Sequence, residues 1–230
     1  VDSHHHDIIR LAWSRRFDLG DSEFRPGVRH VHVDENATSV TFVRLGDSSA
    51  LIGPESALGA ASEMSDDDLA GGRIKELGSG RTTGPIVLSY ADDAGTTIDR
   101  HDPLISHDRA HVNELESACA PDDVIAAGLT HKGSWFTLLA DDAPADAAAP
   151  LASAGYAEWQ GLLADVGVLT APDARRQGNG QVVSRLATNE AFDDGMIPQW
   201  RCHADNVVAR RLGARLGFEE WGVLVSIEVG

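Results

Sequence analysis

Cysteine is nearly absent from this chain of 230 residues, which has only Cys119 and Cys202. Two cysteines make no disulfide framework, so reduced thiols and a cytoplasmic setting are expected. Long apolar runs are missing as well. None approaches the roughly 18–20 residues that span a bilayer, and the opening VDSHHHDII is polar, unlike a signal peptide. Basic residues are scarce, 19 Lys and Arg against 36 Asp and Glu, for a net charge of −17. That balance argues against nucleic acid and anionic membranes as partners, and it is compatible with a cationic substrate such as an amine. No Gly-Lys-Ser/Thr triplet occurs, which excludes a Walker A phosphate loop. What is present is ordinary for a globular protein: 42% hydrophobic residues, enough to bury one large core or two small ones.

Taken in order, the chain begins with His4-His5-His6, which reads as a flexible end or tag remnant rather than a metal site, because adjacent histidines point in different directions. Residues 7–17 carry a helical pattern, and 29–33, 39–45, 50–52 and 86–90 read as strands. Ser65-x-x-Asp68 resembles a helix start. The segment 92–103 loses all periodicity and is the best linker candidate, dividing an N-terminal region, 1–100, from a second region, 101–230. His101, His107 and His111 are tempting as a group, but no further ligand stands at a diagnostic spacing, so no metal site is expected. Residues 108–119 and 121–128 read as helices, 135–140 as a strand, 141–150 as a loose connection, and 151–161 as another strand.

The chain is organised around LADVGVLTAPDARRQGNGQ, residues 163–181. Leu163 to Thr170 is an apolar run of strand length stopped by Pro172. Gly178-Asn179-Gly180 then leads into a helical pattern that places Val182, Val183, Leu186, Ala187 and Ala191 toward a core. Strand, glycine turn and helix start together offer several backbone N–H groups to an anion, with the positive end of the helix dipole behind them. The glycines also remove side chains that would keep a phosphate away from those amides. Arg175 and Arg176 add two positive charges at the mouth of the turn.

The run Arg175-x-x-Gly178-x-Gly180 resembles the pyrophosphate loop of the GNAT superfamily, the acyl-CoA-dependent N-acyltransferases. The elements that follow fit as well: a helix to about 194, a strand at 197–203, and Asn206-x-x-Ala209-x-x-Leu212-x-x-x-Leu216-Gly217-Phe218, which is similar to the family's N-x-x-A/S…L-G-F segment. The resemblance covers about residues 131–230. It implies an α+β (mixed α/β) fold, a twisted mixed sheet flanked by helices; residues 1–100, which the resemblance does not reach, are expected to form a smaller α+β region. It also implies acetyl-CoA as acyl donor, with an amine on a small molecule or peptide as acceptor, and it leaves room for a homodimer. On this resemblance, backbone groups of Val168, Leu169 and Thr170 face the acyl-pantetheine arm. Arg175, Arg176, Gln177, Gly178, Asn179, Gly180 and Gln181 hold the pyrophosphate, and Asn206 stands near the cofactor arm.

Transfer from a thioester to an amine requires alignment, a neutral amine and a donor for the developing oxyanion. Asp165, early in the central strand, is the candidate base, acting through water, with a structural acid as the alternative. The family often carries a thiolate-protonating tyrosine directly after the Leu212 position; this chain has Gly213 there. That departure supports a second reading, a non-enzymatic acyl-CoA-binding or regulatory module. A third is a dinucleotide-binding enzyme, since Gly178-x-Gly180-x-x-Val183 follows a strand and Asp205 ends the next one. It is disfavoured by the missing third glycine and the absence of further βαβ units.

Overall fold

The computed structural model describes residues 2–21, 23–95, 104–140 and 148–229. In chain order its elements are α1 (Ser3–Arg16), β1 (Arg29–Val33), β2 (Ser39–Leu45), β3 (Ser48–Gly53), α2 (Glu55–Ser62), α3 (Asp66–Ala70) and β4 (Thr82–Tyr90). There follow β5 (Ile105–Ser106), α4 (Arg109–Ser117), α5 (Pro121–Ala127), β6 (Ser134–Leu139), β7 (Pro150–Trp159) and β8 (Leu163–Thr170). The chain closes with α6 (Asn179–Asp193), β9 (Ile197–His203), α7 (Val207–Leu216) and β10 (Glu219–Glu228). The fold is mixed α/β, as the strand and helix patterning suggests.

Two compact units emerge. The first comprises 1–90 with 201–211 and 219–230, and the second 91–200 with 212–218. The chain therefore does not divide once. Its C-terminal strand returns to the N-terminal unit, and β9 and α7 each begin in one unit and end in the other. The expected linker falls largely on residues 96–103, outside those described, as do His101 and most of the connection at 141–150.

In the first unit β1 runs parallel to β3, β3 pairs antiparallel with β2, and β10 pairs antiparallel with both β2 and β4. Its core gathers Val40, Phe42, Leu51, Val225 and Ile227 from the strands with Leu58, Ala61, Leu69 and Ile74 from the segments over them. Ser65 caps α3, its Oγ accepting from Asp68 N at 3.1 Å, as the sequence pattern indicates. The three N-terminal histidines correct the sequence reading. They lie inside α1, whose N-terminus is capped by Asp2 Oδ1 accepting from His5 N at 2.9 Å, and the His6 ring stacks on Trp221 at 4.1 Å. A cap and an aromatic partner give this end a fixed place, and neither is visible from three consecutive histidines alone.

In the second unit β5, β6, β7 and β8 form an antiparallel series, and β8 then pairs parallel with the start of β9. Val112 and Leu115 of α4, Ala127 and Leu129 pack against Leu169 of β8. Helix α6 buries Val183, Leu186, Ala187 and Ala191, four of the five positions its periodicity points inward; Val182 is half-buried. Asp193 and Asp194 stand at the wrong end of α6 for its dipole, yet Asp194 has a use: Tyr156 Oη on β7 donates to its Oδ2 at 2.6 Å. Burial first, and this hydrogen bond second, push the Tyr156 phenol up to about 12.

Candidate functional site

The site lies along β8 and the turn that follows it, within the second unit. One edge of β8 is paired with β7 throughout, from Trp159↔Leu163 to Ala152↔Thr170. The other edge is paired with β9 only from Leu163↔Ile197 to Val166↔Trp200, while β8 continues to Thr170. Gly167, Val168, Leu169 and Thr170 thus extend past the parallel ladder, and their backbone groups on that edge can receive an extended ligand. Val168 and Thr170 are half-buried and Leu169 is in the core.

After Thr170 the chain makes a short 3-10 turn, Pro172–Ala174, and reaches the loop. Arg176 has a φ of +62° and Gly178, which caps α6, one of +87°. Gly178 O accepts from both Gln181 N (2.9 Å) and Val182 N (3.1 Å), which tightens the first turn. Among the described residues no side chain caps α6, so the N–H groups of its first residues remain available for an anion. Gly180 matters for space: a Cβ there would come within 2.9 Å of Thr170 Oγ1 and 3.9 Å of Leu212.

Side chains of the loop hold its shape. Gln177 Nε2 donates to Asp173 O and Asn179 Nδ2 to Ala174 O, both at 3.0 Å. Arg175 donates through Nε to Thr170 O at 3.3 Å and through Nη2 to Asp123 Oδ2 of α5 at 2.9 Å. That ion pair is about half exposed on both sides and so contributes little to stability. Arg176 and Gln181 are exposed.

Asp165 stands in a different setting. It is 9% exposed, and its Oδ2 accepts from Lys132 Nζ at 2.5 Å while its main-chain oxygen accepts from the same ammonium at 2.8 Å. Lys132, itself buried, was missed in the sequence. Its stem crosses two glycines that face each other across β7 and β8, Gly155↔Gly167. A Cβ on Gly155 would lie 3.3 Å from Lys132 Cβ, and one on Gly167 would lie 3.1 Å from Lys132 Cε and collide with Ala127 O. The carboxylate is thereby held in an ion pair, one of its oxygens directed to a buried ammonium.

Asn206 belongs to the first unit, where it is exposed and its Oδ1 accepts from Ala209 N at 3.0 Å, capping α7. Gly213 packs on the indole of Trp200: a Cβ there would lie 3.3 to 3.5 Å from Trp200 Cδ1, Nε1 and Cγ. The histidines find local partners, His107 Nδ1 with Trp135 O at 2.7 Å and His111 Nδ1 with Ser106 Oγ at 2.8 Å. No cluster able to hold a metal ion occurs among the described residues.

No family model matches the sequence, and none of the curated proteins does. Solved structures do. A GNAT-family protein from Novosphingobium aromaticivorans superposes with a TM-score of 0.51 at 21% identity, over 65% of this chain and 66% of its own. A Drosophila protein gives 0.50 at 14% identity over 68% and 56%, and a GNAT-family acetyltransferase from Colwellia psychrerythraea 0.49 at 17% over 69% and 62%. The chain thus spans between about half and two thirds of the length of these structures. At such identities the likeness concerns architecture alone: the mixed α/β fold is similar to that of the GNAT-family protein from Novosphingobium aromaticivorans.

Proposed function

We propose that the protein is an N-acyltransferase that moves an acetyl or related acyl group from acyl-CoA to a primary amine. The observation that carries this is the continuity of β8 with the loop: a strand whose end outruns its parallel partner leads within a few residues to an uncapped helix N-terminus, with glycine where a side chain would obstruct. Backbone groups of Val168, Leu169 and Thr170 would hold the pantetheine arm. The amides of residues 175–181, aided by Arg175 and Arg176, would hold the pyrophosphate. When bound, acyl-CoA supplies an activated acyl group; the chain itself supplies alignment and exclusion of water.

We assign Asp165 a structural part, as the buried partner of Lys132, and leave the acceptor's proton to water. Asn206 is read first as the cap of α7. Two observations favour a second reading, an acyl-CoA-binding module without catalysis: the paired state of Asp165, and the Trp200 indole packed on Gly213, where the family often has its tyrosine. The test is a crystal structure with acetyl-CoA together with an acetyl-transfer screen across small amines and peptides. Transfer to at least one amine is expected. Tight CoA binding with no transfer to any amine would select the second reading, and absence of CoA binding would reject both.

A further inference from the structure

Trp200 stands at the last rung of the β8–β9 ladder, opposite Val166, where β8 begins to outrun its partner. Its side chain is 4% exposed, its ring lies 5.5 Å from that of Phe218, and its Nε1–H has no hydrogen-bond partner among the described residues. A buried donor without a described partner has given up its bond to water, a situation native structures rarely retain. Glycine at 213 keeps one edge of the indole free of side-chain cover, because any larger residue would press on Cγ, Cδ1 and Nε1. The indole's one polar group is its N–H. Shielded from bulk solvent, it is available to an acceptor atom of a bound ligand.

Resting on the acyl-CoA reading above, we infer that Trp200 is a positioning residue whose indole N–H donates a hydrogen bond to the thioester head of acyl-CoA. The indole keeps its proton throughout. The acceptor's nitrogen bonds to the thioester carbon, the carbon–sulfur bond breaks, and sulfur leaves with the electron pair. Water takes the proton from the amine and returns one to sulfur.

The experiment uses the full chain and compares the parent with Trp200→Phe, which keeps an aromatic ring and removes the donor. Acetyl-CoA, CoA and desulfo-CoA are titrated into each by calorimetry. The indole resonance of Trp200, identified by its loss in the variant, is followed by ¹⁵N NMR in the parent. We expect that resonance to move downfield on saturation with acetyl-CoA. We also expect the parent to bind acetyl-CoA or CoA about tenfold tighter than desulfo-CoA, a gap the variant closes, as loss of one hydrogen bond implies. Closure for CoA and acetyl-CoA alike assigns the bond to sulfur; closure for acetyl-CoA alone assigns it to the carbonyl oxygen. An unmoved resonance in the ligand-saturated parent overturns the inference whatever the variant does. An equal gap in both proteins overturns it too. Binding of both acetyl-CoA and CoA that Gly180→Asp abolishes and Trp200→Phe leaves untouched overturns this inference alone, whereas no CoA binding by the parent overturns the underlying reading with it.

Discussion

Along Leu163–Val166, β8 is hydrogen-bonded on both edges, and its one charge, Asp165, is matched by Lys132 with both side chains largely shielded from water. From Gly167 to Gln181 the parallel partner is gone, the helix that follows is uncapped, and two arginines stand at the surface. The same stretch of chain thus closes its polar groups internally over one half and leaves part of them open over the other, along one edge of residues 167–170 and at the first amides of α6. Internal closure fixes structure, because a buried charge is tolerable only when paired. Amides left open at the surface are satisfied by water or by a ligand, and an anion meets them with no protein partner to displace. The difference separates residues whose loss should cost stability from residues whose loss should cost binding.

The largest expected effect tests the closed half. Lys132→Met leaves Asp165 buried without a counter-charge and should lower unfolding free energy in urea by about 3–5 kcal/mol. Lys132→Met combined with Asp165→Leu should recover much of that loss. A single variant as stable as the parent would show that the pair is not closed. Asp165→Asn belongs to the same comparison: it should lower stability, and its kcat at 25 °C in a folded preparation should stay within a few-fold of the parent. A drop of about 10²–10⁴-fold, the usual loss for a general base, would return Asp165 to the chemistry.

A smaller effect concerns Tyr156, which pairs with Val166 in the same closed region. Its phenol is raised from 10.0 to about 12 in the folded state. The unfolded chain therefore loses this proton first, so the contribution is fully present below about pH 10 and is lost as pH rises toward 12. Tyr156→Phe should flatten that part of the stability–pH curve and cost on the order of 1 kcal/mol at neutral pH, measured by urea unfolding. The smallest effect belongs to the open half. Arg176→Ala, at an exposed position, should leave the melting temperature within a degree or so while weakening CoA binding by a few-fold, a difference of roughly 1 kcal/mol or less.

Much of the open half can be read in the sequence, because what makes it work is local. Strand length, the stop at Pro172, the glycines at 178 and 180, and the helical period of residues 181–191 all lie within thirty residues. Arg29–Val33 and Ser39–Leu45 are likewise found where alternation puts them. The closed half depends on contacts between distant residues. Lys132 and Asp165 are 33 positions apart, and nothing in Thr130-His131-Lys132-Gly133 distinguishes this lysine from a solvated one. A signal was present in the glycines inside both strands, Gly155 and Gly167, since glycine in a strand interior often marks a close approach of other atoms. The histidines of α1 and the orphan N–H of Trp200 were hidden for the same reason: their partners, or the lack of them, are set by tertiary packing.

The account rests most directly on the claim that residues 175–181 hold a pyrophosphate, and a calorimetric titration of CoA into the parent and into Gly180→Asp measures it. The variant adds bulk beside Thr170 Oγ1 and a negative charge at the mouth of the helix dipole. Micromolar binding by the parent, a loss of about 100-fold or more in the variant, and weaker responses to NAD and ATP run alongside are the predicted result. Equal CoA affinity in the two proteins, with the variant shown to be folded, would contradict it.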